Sequence, residues 1–270
     1  MTYASFAVSL DPGATTADRV QLAADLARRF EVTLTGVAAR CLPAPIAVSD
    51  IRQAEALYAE EEARLREELA RVKAAFETNA AGAETDWRSA AGGPLTLLIE
   101  CARASDLILI GRRGAEDPDP GDMGVMPGPV LMEAGRPVLI VPPGLERLEA
   151  ARIVVAWKDT VEARRAISGA LPFIRRADRV FVATAGSGAR FEGAEDVARF
   201  LARHGAHATT HLLARPAVSD ADEILRFAQR QDADLLVMGA YGHSRLREWI
   251  FGGATRDILQ TTPICSLMAH

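Results

Sequence analysis

The chain has 270 residues, of which 49% are hydrophobic, 25% charged and 6% aromatic, and its formal net charge is −5. That length fits one large domain or two of roughly 135 residues each, and the balance excludes a disordered or collagen-like chain and the basic excess of a nucleic-acid binder. No run approaches the roughly 20 apolar residues needed to cross a bilayer.

The N-terminus, Met1-Thr2-Tyr3-Ala4-Ser5, has no basic segment ahead of an apolar run, so no secretory leader is expected. An opening strand is predicted from Ser5, ending at Asp11-Pro12-Gly13. A long helix is predicted from about Ile51 to Asn79, with Leu65, Leu69, Val72 and Phe76 as its apolar stripe. Glu60/Arg64, Glu62/Arg66 and Glu67/Arg71 are i,i+4 pairs on its exposed side. Such a helix covers a sheet or pairs with a partner as a coiled coil; the seam is too short for sustained heptads, which favours the sheet. Apolar runs follow within Asp106–Gly114 and Arg136–Val141, and Pro142-Pro143-Gly144 reads as a short linker.

Beyond the linker, strands are predicted over Ile153–Trp157, Val180–Thr184, His207–Leu213, Leu235–Met238 and Ile264–Met268. Helices are predicted over Glu162–Leu171, Ala194–His204, Ser219 to about Gln231, and Ala254–Gln260. Gly205 closes the second of these at the C′ position. Ser219, with Asp222 three residues on, opens the third in the manner of a capping box.

The two halves repeat one another. Asp106-Leu-Ile-Leu-Ile-Gly-Arg-Arg-Gly114 returns as Asp234-Leu-Leu-Val-Met-Gly-Ala-Tyr-Gly242, and Arg136-Pro-Val-Leu-Ile-Val141 as Thr262-Pro-Ile-Cys-Ser-Leu267. The opening strand returns as Arg152-Ile-Val-Val-Ala-Trp-Lys158, so the order is preserved. Two domains are therefore expected, residues 1–145 and 150–270. Their strands are short apolar runs, the mark of a parallel sheet covered on both faces. The fold class is α/β: two tandem, doubly wound, parallel-sheet sandwiches. The charge is split between them. Residues 1–145 hold 14 basic and 21 acidic residues, a net −7, and residues 150–270 hold 16 and 13, a net +3. A bound anion is expected in the second half.

In an open α/β sheet, ligands lie beyond the carboxyl ends of the strands, where the strand order reverses. The loop after the fourth strand of the second half reads Gly239-Ala-Tyr-Gly242-His243-Ser244-Arg245, continues to Gly252-Gly253-Ala-Thr255, and runs into a helix. Glycines there let a backbone approach a phosphate, and the first N–H groups of the helix would face the same anion. The alternative is a glycine-rich turn with no ligand.

This spacing, G-x2-G-x9-G-G, resembles the ATP-binding motif of the universal stress protein family. Gly239, Gly242 and Gly252 match it, and Gly253 stands where the family has a hydroxyl residue; Thr255 lies two positions on. The resemblance spans the second half and, more weakly, the first. It implies an adenine nucleotide alpha-hydrolase-like fold, strand order 3-2-1-4-5, and a pseudo-dimer in which Val138–Val141 pairs with Ile264–Met268. It also implies ATP or another adenine nucleotide as ligand, with Mg, and a cytoplasmic role in stress response, with homodimerisation. The implied site is Trp157, Lys158, Asp159, Ala183, Gly239, Gly242, His243, Ser244, Arg245, Gly252, Gly253 and Thr255. Lys158 stands where the family has an acidic residue near the ribose. It reads as a phosphate contact or as a solvated turn, with Asp159 next to it. Ala183-Thr184 would flank the adenine.

The first half keeps Asp11 at the strand end, but the segment after Gly111-Arg-Arg-Gly114 is acidic and broken by Pro118, Pro120 and Pro127. Prolines remove donors and carboxylates repel phosphate, so no nucleotide is expected there, and Arg112 and Arg113 read as solvated surface. His204, His207 and His211 imitate a metal cluster, but four strand residues separate two of them by about 13 Å, too far for one ion. Three scattered cysteines, Cys41, Cys101 and Cys265, suggest a reducing compartment. No nucleophile–base pair is visible. The remaining alternatives are a nucleotide-independent interaction module and a weak nucleotide hydrolase.

Overall fold

A computed structural model describes residues 2–43, 51–186, 191–213, 219–242 and 253–270. The first half runs β1 (Ser5–Ser9), α1 (Thr16–Phe30), β2 (Thr33–Arg40), α2 (Ile51–Asn79), β3 (Thr85–Ala91), α3 (Pro94–Ala102), β4 (Leu107–Gly111), α4 (Pro127–Glu133) and β5 (Val138–Val141). The second runs β6 (Arg152–Ala156), α5 (Val161–Ile174), β7 (Arg179–Ala185), α6 (Phe191–Arg203), β8 (Ala208–Leu213), α7 (Asp220–Arg230), β9 (Leu235–Gly239), α8 (Ala254–Thr261) and β10 (Cys265–Ala269).

All these strands lie in one sheet, in the order β3-β2-β1-β4-β5-β10-β9-β6-β7-β8. Each half has the order 3-2-1-4-5. Every pairing is parallel but one. The exception joins the halves: β5 and β10 run antiparallel, with Val138 opposite Met268, Leu139 opposite Leu267 and Ile140 opposite Ser266. Two last strands that would each have been an open edge cover one another. All residues of β4, β5 and β10 are buried, the fate of apolar runs with helices on both sides.

The repeat's leading aspartates have a structural reason. Asp106 accepts the N–H groups of Ala4 at 2.7 Å and Ser5 at 3.2 Å. Asp234 accepts those of Ala151 and Arg152, both at 3.1 Å. Each carboxylate ties the start of its half's first strand to the start of its fourth. Asp234→Ala would strand those two donors and is expected to destabilise the protein by about 1–3 kcal/mol, read as a lower urea midpoint.

α5 extends past the predicted Leu171 and through Pro172 to Ile174. A proline removes one backbone donor, but Phe173 and Ile174 are fully buried and hold the last turn in place. The burial of Phe173 belongs to the seam. Tyr3, Phe30 and Phe173 meet edge-on, Tyr3–Phe173 at 5.7 Å and Phe30–Phe173 at 5.0 Å between centroids. Arg176 lies 4.2 Å over the Phe30 ring. One apolar core therefore runs through both halves on this side of the sheet.

On α2, Leu65, Val72 and Phe76 are buried and Leu69 packs beside them, so the helix covers the sheet. Glu60–Arg64 and Glu62–Arg66 form at 2.6 and 2.8 Å. Gly205 has φ +89, and the bonds Gly205 N–H to Ala202 and Ala206 N–H to Leu201 close α6. The Ser219 hydroxyl accepts the Asp222 N–H at 3.1 Å, as expected.

Candidate functional site

The second-half crevice lies where β6 and β9 end side by side. After β6, the Trp157 N–H donates to the Ala183 carbonyl at 2.8 Å, which keeps the segment beside β7, and the Trp157 ring is buried. Lys158 and Asp159 are exposed. Asp159 pairs with Arg164 at 2.5 Å and so is engaged on the surface. Thr160 caps α5, its hydroxyl oxygen accepting the Ala163 N–H at 3.2 Å.

Gly239 ends β9 against that cap. A Cβ there would sit 2.5 Å from the Ala163 nitrogen and 2.8 Å from the Glu162 carbonyl carbon. Both are backbone atoms, so only glycine lets α5 begin this close to the strand. Tyr241 follows with φ +57, and its N–H donates to the Thr255 hydroxyl at 3.2 Å. Thr255 is buried in the first turn of α8. Gly253 precedes that helix in an extended conformation and supplies no side-chain cap. The turn Ala240–Gly242 thus bridges the N-termini of α5 and α8, whose partial positive charges converge there.

Of the expected residues, Trp157, Ala183, Gly239, Gly242, Gly253 and Thr255 gather at this end of the sheet, with Lys158 and Asp159 on its rim. His243, Ser244, Arg245 and Gly252 lie outside the described residues. Thr184, at the end of β7, is buried and its hydroxyl has no hydrogen-bond partner among them.

Sequence reading missed Glu162. Its carboxylate oxygen lies 3.1 Å from where a Gly242 Cβ would be. Burial pushes its carboxyl up, but a backbone N–H, the Thr160 hydroxyl and the charges of His270 and Arg165 hold it below the ordinary carboxylate range. A negative charge therefore stands beside the glycine turn. The available signal was an acidic residue in the first turn of the helix after the first strand.

The equivalent crevice of the first half is filled by the chain's own cations. Asp11 is buried after β1 and pairs with Arg19 at 2.8 Å and Arg113 at 3.0 Å. The Thr16 hydroxyl and the Gly13 N–H donate to its other oxygen at 2.8 and 2.9 Å. Arg19 also donates to the Ser9 carbonyl, and its Nη1 lies 2.5 Å from where a Gly111 Cβ would sit. Burial pushes the Asp11 carboxyl up; Arg19, Thr16, Arg113 and Gly13 outweigh it and hold the group low.

The reading of Arg112 and Arg113 as solvated surface is overturned. The Arg113 side chain is 8% exposed and the Arg112 side chain 18%. Arg112 forks onto Asp117 and donates to the Thr262 carbonyl of the other half at 2.7 Å. Arg19, fully buried on α1, was missed: an arginine on a helix reads as surface until its partner is known.

Among the described residues, no three His, Cys, Asp or Glu side chains are grouped to hold a metal ion. His211 packs against Phe181 and Phe227 and meets the Thr209 hydroxyl at 2.9 Å. Cys265 is fully buried, and burial pushes its thiol up, so it behaves as a small apolar side chain. No described helix is long and apolar enough to cross a membrane.

Residues 194–270 match the model of the universal stress protein family. Comparison with curated proteins finds no match. Among solved structures, a universal stress protein from Archaeoglobus fulgidus is similar over 99% of this chain and 96% of its own, at 17% identity and a TM-score of 0.69. A functionally unknown protein from Pseudomonas aeruginosa is similar over 98% and 92%, at 18% identity and a TM-score of 0.54. A universal stress protein from Archaeoglobus fulgidus in complex with dAMP matches 52% of this chain and 98% of its own, at 19% identity and a TM-score of 0.34.

Proposed function

We propose that this chain, which carries the universal stress protein fold over its whole length and matches that family's sequence over residues 194–270, holds ATP or a related adenine nucleotide in its second half and acts as a stress sensor or regulator. On this reading the chain comprises two domains, 1–145 and 150–270, and only the second keeps a ligand site. The observation that carries it is the N-terminus of α8. Among the described residues no side chain caps the first N–H groups of that helix, which Gly253 precedes, and Thr255 ties the same turn back to Tyr241 in the glycine turn. Uncapped N–H groups beside closely approachable backbone form a phosphate site. The Thr255 hydroxyl already accepts one bond and retains its own O–H to donate. The net +3 of residues 150–270 favours an anion in the same half.

A nucleotide-independent interaction module is the second reading. Glu162 favours it, because its carboxylate repels phosphate at the glycine turn.

Mass spectrometry of small molecules released on denaturation, with calorimetry at millimolar ATP, separates the two. Copurified adenine nucleotide, and heat that Gly242→Val abolishes, are expected. Arg245→Glu should weaken the binding, and Arg66→Glu, on the exposed side of α2, should leave it unchanged. No copurified nucleotide and no heat would leave only the module.

A further inference from the structure

The halves meet at α5 as well as along β5 and β10. The helix lies across the residues that precede β1, β4 and β5, and it touches Pro137 so closely that a Cβ on Gly169 would be 2.3 Å from the Pro137 ring. Beside this contact a cleft of about 470 Å³ opens between the halves. That volume lies within the roughly 300–1,000 Å³ of small-molecule sites, which favour junctions between structural units.

We propose that this cleft binds a small organic anion with an apolar body: a carboxylate or phosphate monoester head on an aliphatic or aromatic tail. Tyr3, Pro137 and Pro172 line it with apolar surface. The Tyr3 hydroxyl is already used, donating to the Gly169 carbonyl at 2.6 Å, so the ring is what Tyr3 offers a ligand. Tyr3 is held from behind by Phe30 and Phe173, so the wall is rigid.

The cleft also holds three guanidinium groups, Arg136, Arg164 and Arg165. Arg136 is anchored to the Ala102 and Arg103 carbonyls, and Arg165 to the His270 carbonyl at 2.9 Å. A guanidinium has five donors, so each anchored group keeps N–H donors for a ligand without having to be ordered first. The one carboxylate of the lining, Asp106, is occupied by the Ala4 and Ser5 N–H groups. Arg164 is paired on the rim with Asp159 at 2.5 Å, so with both carboxylates counted the cleft keeps an excess of one positive charge over an apolar floor, and planar forks of this kind suit carboxylate and phosphate oxygens.

The test uses the full chain and no nucleotide, so its outcome is independent of the second-half crevice. Decanoate, decyl phosphate, decanol and acetate are titrated by calorimetry below their aggregation limits. One saturable site per chain is expected for decanoate, decyl phosphate or both, with decanol at least tenfold weaker and acetate silent. Whichever of the two anions binds more tightly identifies the head group. Ser168→Trp, from the exposed side of α5 that borders the cleft, should fill the space and abolish binding. If that variant proves unstable, Arg164→Gln with Arg165→Gln decides, with about a tenfold loss expected at an unchanged thermal midpoint. Decanol binding as tightly as decanoate overturns the proposal. So does binding that a folded Ser168→Trp, or the double arginine variant, leaves intact.

Discussion

Asp11→Asn is expected to destabilise the protein by about 3–5 kcal/mol, the usual cost of removing one partner of a buried ion pair. The substitution preserves volume, so it opens no cavity. It takes the negative charge from a pocket where the Asp11 and Arg19 side chains are 1% and 2% exposed and Arg113 also points at the carboxylate. Two guanidinium groups would be left without a counter-charge. Asp11→Asn combined with Arg19→Met should cost less than the single change, since one buried cation leaves with the anion, and the coupling is read from a double-mutant cycle. The pH dependence has a definite sign. The folded-state carboxyl lies below its ordinary value, so its contribution is present above the unfolded value of about 3.9 and is lost as pH falls through the folded one. Urea midpoints of the wild type should therefore fall across that acid window, and those of Asp11→Asn should fall less. A single-variant cost below about 1 kcal/mol would mean that the network is solvated in solution.

The same network gives a physical account of why the first half is not expected to hold a nucleotide. Acidic residues and prolines after Gly114 already pointed that way, but they concern the rim. The space itself is taken by Arg19 and Arg113. Neither was legible beforehand: a partner eight positions away becomes a neighbour only once α1 folds back along β1, and one about a hundred positions away only after β1 and β4 pair. What was legible depended on local regularities. Apolar runs buried on both faces announced β4, β5, β9 and β10, and the ordered repeat announced the second copy. The resemblance then anticipated that the last strands pair, and the fold supplied their antiparallel sense. Asp106 and Asp234 were visible as repeat positions, but their reason, four N–H groups held at the strand starts, required the fold. Pro172 shows the opposite bias: a proline reads as a stop, and two buried side chains beyond it carried the helix onward. Glu162 began a predicted helix and was passed over because its neighbour, Gly242, lies eighty positions away.

Glu162→Gln is expected to tighten ATP binding about tenfold when measured without divalent ions, a change of about 1.4 kcal/mol. Two unit charges about 4 Å apart interact by about 1 kcal/mol in water and about 4 kcal/mol near a protein surface, and the Glu162 carboxylate faces the glycine turn at close range. Its ionised form is favoured, so the repulsion operates at neutral pH. Lowering the pH toward the carboxyl's own range should strengthen wild-type binding and leave the variant flat, apart from the titration of ATP itself. Stability should move the other way. A carboxylate in the first turn of α5 interacts favourably with the helix N-terminus by about 0.3–1 kcal/mol, so the variant should bind ATP more tightly while unfolding slightly more easily. A general loosening of the fold does not produce that pair of opposite signs. If the wild type binds too weakly to titrate, the variant should bring the affinity into range. Unchanged or weaker binding in Glu162→Gln would place any phosphate away from Gly242, and the interaction-module reading would then account better for why this crevice keeps a carboxylate beside its glycine turn.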